Sequence, residues 1–249
     1  MLMIIGIDDT DNHDSEKGTG RLVTQLASQI EHKEWGVGYG VVRHQLFVHH
    51  QIPYTSHNSS MSLLLDFKEQ FVQPLILLAN DFLIDRSAPG SDPGFCLLLV
   101  DQVEDKEALI EYGYKAKTEV LTKDSAYQLA DKLNLHLSEH GGSGDGVIGA
   151  LAAVGLRLSG NDGRFRGKHF TELTEQVITV EEILTDSEVV RVLSTDGALL
   201  SAKEKISLGE KVKSVLIDNE RVLLVVPTSD SESEVRWQSC PMEHLRKHY

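Results

Sequence analysis

The chain has 249 residues, 41% hydrophobic and 25% charged, the balance of a globular protein with room for one large domain or two modest ones. Its net charge of −14 repels a phosphate backbone at long range and argues against a general nucleic-acid binder. No apolar run approaches the ~20 residues that span a bilayer. The apolar start Met1 to Gly6 is too short for a signal peptide. The two distant cysteines, Cys96 and Cys240, form no CxxC pair, so a zinc ribbon is not expected and a cytoplasmic location is.

Met3 to Ile7 is a short apolar run closed by Asp8 and Asp9, the pattern of a buried strand with carboxylates at its C-terminal end. A polar loop, Thr10 to Gly18, follows. Leu22, Leu26 and Ile30 then give a helical stripe, with Thr19 as its expected N-cap. Gly36 to Val48 and Met61 to Asp66 are predicted strands, separated by a break at Pro53. Phe71, Leu75, Leu78 and Phe82 have helical spacing, with Pro74 in a first turn or at a kink. Ser87 to Gly94 is a loop, and Phe95 to Val100 reads as a central strand.

Lys123 to Leu137 is a predicted helix. The turn Gly141 to Gly146, GGSGDG, runs into the apolar helix Val147 to Leu158, and a loop carries Arg164, Arg166 and Lys168. After about His169 the texture becomes β-type: Val177 to Val180, Val189 to Leu193 and Val212 to Val226, with turns at Thr195-Asp196-Gly197 and Asp218-Asn219. A polar linker, Thr228 to Glu234, leads to the terminal segment. This half keeps the acidic bias and offers no basic face for RNA.

Three features carry chemistry. Asp8, Asp9 and Asp11 supply the hard oxygens that Mg²⁺ takes together with waters and substrate phosphates. Alone, such a cluster is as readily a solvated turn; its place at a strand end favours a ligand. The glycine turn before a helix presents N–H groups to an anion, although no Gly-Lys-Ser/Thr follows and Asp145 repels phosphate unless a cation intervenes. The same turn is equally a plain flexible connection. The polar stretch Thr55 to Ser60 suits hydrogen bonding to a polar substrate, or simply links strands. The spacing of His44, His49, His50 and His57 can suggest zinc, but His49 and His50 are adjacent and point to opposite faces of a strand, so most are read as surface or packing histidines and His57 is kept as a possible general base. Arg21, in the first turn after the acidic loop, is placed to stabilise a transferred phosphate, or is a surface arginine.

In order, these segments resemble the N-terminal kinase-like domain of the archaeal tRNA-Ile agmatidine synthetase family. The resemblance rests on GIDDTDN (Gly6 to Asn12), the segment Ile52 to Ser60, the turn Asp92-Pro93-Gly94 before an apolar strand, and IGALAAVG (Ile148 to Gly155) after a glycine loop. That family uses ATP to activate a tRNA cytidine and attaches agmatine. The resemblance implies that Asp8, Asp9 and Asp11 hold Mg²⁺ and the ATP phosphates. There are departures. The family's phosphorylated threonine aligns with Arg21, with Thr19 nearby but out of register. Thr55 and His57 replace a Lys and an Arg. The family's oligonucleotide-binding barrel and zinc ribbon have no visible counterpart.

The resulting expectation is an α/β (α+β) fold. A kinase-like nucleotide domain over 1–169, a mixed sheet flanked by helices, precedes a small β module over 170–249. The expected activity is ATP- and Mg²⁺-dependent phosphoryl or nucleotidyl transfer to a small molecule. A tRNA cytidine-modifying enzyme and a non-catalytic nucleotide sensor are the alternatives, with tRNA disfavoured by charge. Asp8, Asp9, Asp11 and Arg21 are the expected catalytic residues, the three aspartates also the metal ligands. Gly6, Thr10, Gly18, Thr19, Gly142, Gly144 and Gly146 are expected to contact the nucleotide, and Tyr54, His57 and Asn58 the substrate.

Overall fold

The structure, a computed structural model, describes residues 1–12, 15, 18–52, 58–167, 176–228 and 235–249. The chain divides into two compact units, Met1–Ser159 and Gly160–Tyr249.

The first unit is built on five strands: β1 (Leu2–Asp8), β2 (Gly36–Gln45), β3 (Ser59–Phe67), β4 (Gly94–Leu99) and β5 (His136–Glu139). They lie in the order β5-β4-β1-β3-β2, every neighbouring pair antiparallel, so β1 is central. Side chains alternate across a strand, and both faces are covered. Met3, Ile5 and Ile7 join Phe95 and Leu97 beneath α1 (Thr19–His32) and α2 (Val72–Arg86). Ile4, Cys96 and Leu98 face the other way, into a core with α3 (Lys106–Lys115), α4 (Lys123–Lys132) and α5 (Gly146–Ser159). This double burial explains why β1 and β4 read as continuous apolar runs instead of alternating ones.

Several local expectations are met. Pro74 occupies the third position of α2, where its missing N–H has no intrahelical role. The α1 stripe Leu22, Val23, Leu26 and Ile30 is buried. Others are corrected. The N-cap of α1 is Gly18, one residue before the expected Thr19, and no side chain caps it. The helix expected to reach Leu137 stops at Lys132, and His136–Glu139 forms the edge strand β5 instead. Asn134, in the left-handed conformation at φ 54°, breaks the helical path between them.

The second unit carries a mixed sheet. It contains β6 (Arg164–Phe165), β7 (Val177–Thr179), β8 (Arg191–Ser194), β9 (Lys205–Ser207), β10 (Val215–Ile217), β11 (Glu220–Pro227) and β12 (Trp237–Ser239). The order is β6-β10-β11-β12-β9-β7; β8 runs parallel to β11, as β9 does to β12. The run Val212 to Val226 is a hairpin whose turn residues Asp218 and Asn219 both have positive φ, 52° and 63°. Two short helices, α6 (Val180–Asp186) and α7 (Met242–His248), punctuate what the sequence suggests is all β. A reciprocal capping box, Thr179 with Glu182, starts α6. Lys168 and most of the expected linker at 228–234 lie outside the described residues. Among the described residues, no helix is long and apolar enough to cross a membrane.

Candidate functional site

The carboxylates gather where β1 ends. Ile7 faces α1, so Asp8 faces α5, and its carboxylate lies against Gly149 in the first turn of that helix; a methyl group at Gly149 would overlap it. Asp9 then adopts φ 53°, a left-handed conformation that Asp tolerates better than most residues, and the chain turns into the loop. Thr10 is buried. Its backbone N–H and its hydroxyl both donate to Thr19 Oγ1, at 3.3 and 3.1 Å. Thr19 Oγ1 in turn donates to Asp11 Oδ1 at 2.8 Å. Thr10 and Thr19, expected to contact nucleotide, therefore form the bracket that aims Asp11, with Gly18 beside its other oxygen.

The second wall comes from two turns docked together. Gly94 and Gly146 meet backbone to backbone, with no room for a side chain on either. The Ser143 N–H donates to the Asp92 carboxylate, and Gly142, at φ 58°, sits against that same carboxylate. Lys123 Nζ donates to Glu139 at 2.9 Å and to the Ser143 carbonyl at 2.8 Å; Gly144 packs against the same pair of side chains. The glycines of this loop are thus accounted for by close contacts inside the protein. Their effect is to bring the N-terminus of α5 up to the end of β1. Gly6 serves the same docking: it lies in β1 under Ala150 and Val154, so α5 can approach the sheet closely.

The electrostatics follow from this crowding. Burial pushes the Asp9 carboxyl up to about 6, helped by the negative charges of Asp92, Asp11 and Asp145. Asp8 is held well above the usual carboxylate range, by burial first and then by Asp9 and Asp11, against a hydrogen bond from the Asp9 N–H. Asp92, at the 92–94 turn, is the member of the cluster the sequence reading left out. Its motif was visible, but a DPG turn explains itself without a ligand. Gly149 was missed because it sits inside an ordinary helix.

Among the described residues, no three His, Cys, Asp or Glu side chains are gathered closely enough to hold a metal ion by themselves. Arg21 is exposed in the first turn of α1 and is not drawn into the cluster by any described contact. Asn58 spends its amide inside the fold: Nδ2 donates to the Phe47 carbonyl at 2.7 Å, closing the β2–β3 connection. Tyr54 and His57 lie outside the described residues. His44 is buried against Ser62, and both cysteines are buried free thiols.

Fold and site together define an α+β protein whose central antiparallel strand delivers a carboxylate cluster to a helix N-terminus. Three solved structures are similar to it in fold. The structure of the tRNA-Ile agmatidine synthetase TiaS with its tRNA and ATP is 28% identical over 62% of this chain, with a TM-score of 0.53. The apo form of that enzyme is 26% identical over 75%, also with a TM-score of 0.53. A tRNA fluorescent labelling enzyme matches 96% of this chain and 71% of its own at 20% identity and a TM-score of 0.55, a likeness of fold. The resemblance expected from the motifs is thus present in the structure. The chain spans only 36% and 43% of the two TiaS chains. No family model and no curated protein sequence matches it.

Proposed function

We propose that this chain is an ATP-using group-transfer enzyme whose nucleotide phosphates and Mg²⁺ meet at the carboxylate cluster. The observation that carries the reading is the crowding of Asp8 and Asp9, partly buried beside Asp11, Asp92 and Asp145 at a helix N-terminus, a negative excess that the Lys123 ammonium near Asp145, itself paired with Glu139, does not balance. Mg²⁺ fits this donor set. It takes one or two carboxylates and leaves its other positions to water and phosphate, so a preformed three-ligand cage is not required. Asp8 and Asp9 would hold the ion, Asp11 would be steadied by Thr19, and Mg²⁺ would neutralise phosphate charge. The Val147 and Ile148 N–H groups in the first turn of α5 already donate to the Gly144 and Asp145 carbonyls, so this helix would act on the phosphates through the positive end of its dipole. Arg21, exposed at the start of α1, would swing in to stabilise the transferred group. The ATP complex of TiaS supports the choice of nucleotide.

Calorimetric titration with ATP, with and without Mg²⁺, on wild type and Asp8→Asn tests the proposal. Mg²⁺-dependent binding that weakens in Asp8→Asn is expected; equal heats in all four titrations would sink it. The acceptor is read as a small molecule, because the net charge of −14 opposes a polyanion. A tRNA substrate is the second reading, favoured by the TiaS complexes that contain tRNA. Gel shifts with purified tRNA separate the two, since a tRNA enzyme binds with steep salt dependence.

A further inference from the structure

The strand β3 enters the sheet on hydroxyls. Ser60, Ser62 and Leu64 alternate along it and share one face. Leu64 lies opposite Ile4, in the core beneath α5, and Ser62 lies opposite Gly6, which α5 approaches directly. This is therefore the α5 face. One step further in the same register, Ser60 comes opposite Asp8. Asp8 Oδ2 lies against Gly149 in the first turn of that helix. Asp8 and Ser60 are thus neighbours on adjacent strands, on one face and at one level of the sheet. Directly opposite residues hold their Cβ atoms roughly 5 Å apart, close enough for two short oxygen side chains to meet one small cation.

A buried hydroxyl is costly unless something bonds it. Two of the three serines that open β3 meet this demand within the protein. Ser59, on the opposite face, accepts a hydrogen bond from Arg43 Nε at 2.9 Å. Ser62 Oγ is 2.8 Å from His44 Nε2. Ser60 does not. It is fully buried, and its hydroxyl has no hydrogen-bond partner among the described residues. The Asp8 carboxylate on the next strand does not take its proton.

A charged oxygen and a neutral one therefore face the same side at the same level without bonding each other. A buried polar group left open in this way marks the place of a water or an ion. Asp8, with Asp9 and Asp11 beyond it, repels an anion there. A cation suits both oxygens, because a carboxylate and a hydroxyl each offer lone pairs and both are hard ligands of the kind Mg²⁺ takes. A serine or threonine hydroxyl serves Mg²⁺ beside nucleotide phosphates in P-loop proteins for the same reason.

We propose that Ser60 is a metal ligand: its hydroxyl oxygen and the Asp8 carboxylate, from adjacent strands, hold the same divalent cation. The assignment rests on the nucleotide reading above and adds a residue to it that is not acidic. It also explains how a cation is held where no three His, Cys, Asp or Glu side chains converge among the described residues. A neutral oxygen supplies a protein ligand without adding to the repulsion among the carboxylates.

Exchanging the ligand atom tests this on the full chain. Calorimetric titration with AMPCPP in Mg²⁺ or Cd²⁺ reads binding without turnover. Ser60→Ala is expected to weaken binding in Mg²⁺ by roughly tenfold or more. Ser60→Cys replaces a hard oxygen by a soft sulfur of similar shape. It is expected to lose as much in Mg²⁺ and to return to within about threefold of wild type in Cd²⁺. Wild type in Cd²⁺ is the control for the two other cysteines, Cys96 and Cys240. A packing role for Ser60 would not follow the metal. Urea unfolding in EDTA gives a second readout: Ser60→Ala is expected to unfold no earlier than wild type, because no hydrogen bond is lost. A clearly lower midpoint shows the hydroxyl bonded to a water or to the protein in the metal-free chain, and overturns the assignment. Normal binding by Ser60→Ala in Mg²⁺, or equal losses by Ser60→Cys in both metals, overturns the Ser60 ligand alone. Failure of wild type to bind AMPCPP in Mg²⁺ overturns the nucleotide site and the ligand with it.

Discussion

Replacing Asp9 by Asn should make the first unit more stable at neutral pH. The Asp9 carboxyl is pushed from 3.8 to about 6 by burial and by Asp92, Asp11 and Asp145. A carboxyl whose folded-state pKa lies above its unfolded value binds its proton more tightly when folded. Its penalty is therefore absent below about pH 3.8, grows as pH rises toward 6 and is complete above that. About two units at ~1.4 kcal/mol each give roughly 3 kcal/mol. Asp9 retains some exposure to water, and screening reduces this to about 1–2 kcal/mol. Asn removes the charge without straining the backbone, because it tolerates the left-handed φ of 53° as well as Asp does.

The assay is urea unfolding in EDTA, followed by Trp35, which stacks on Phe71 at 5.3 Å in the first unit, in a Trp237→Phe background that silences the second. With a urea slope of about 2–3 kcal/mol/M, the Asp9→Asn variant should unfold roughly 0.5 M later at pH 7.5. The gap should close by about pH 4 as the wild-type carboxyl protonates. A variant no more stable than wild type at pH 7.5 refutes the claim that these carboxylates repel one another in the folded chain.

Other perturbations probe the parts that hold the cluster. Gly149→Ala adds a methyl group where the Asp8 carboxylate lies; despite alanine's helix preference it should cost about 1–3 kcal/mol in urea unfolding and weaken ATP binding. Thr19→Val removes the acceptor of two Thr10 hydrogen bonds and the donor to Asp11, and should cost about 1–2 kcal/mol by the same assay. Thr179→Ala breaks the α6 capping box and should lower the second unit's stability by about 1 kcal/mol, read through Trp237, with no change at Trp35.

Much of the first unit was legible because its signals are local. The apolar runs of β1 and β4, the α1 stripe and the glycine turn before α5 each occupy a contiguous stretch. What stayed hidden depends on distant partners. The segment 133–137 continues the helical spacing of α4, and only pairing with β4 makes His136–Glu139 a strand. Asp92 joins the carboxylates solely because Gly94 and Gly146 allow two turns, far apart in the chain, to touch. The second unit was read as β because its short helices are too brief to show a period. The Thr179–Glu182 capping signature, T-V-E-E, was present in the sequence and would have marked α6.

The expected reason for placing a ligand at the end of β1 also changes. In parallel sheets, ligands collect at strand C-termini because every crossover helix begins there. Here β1 is antiparallel to both neighbours, so that edge carries no such row of helix N-termini. Two helix ends supply the effect instead: α1, whose first residue Thr19 holds Asp11, and α5, which meets Asp8. Gly6, Gly94 and Gly149 remove the side chains that would hold α5 away from the sheet, and the helix N-terminus arrives beside Asp8. The cost is that an acidic group is packed against the helix with its neighbours also acidic. The positive ends of two helices together offset only about one charge, while Asp8, Asp9, Asp11, Asp92 and Asp145 are drawn together. The excess negative charge at this spot, a consequence of the same close packing, is what a divalent cation would balance.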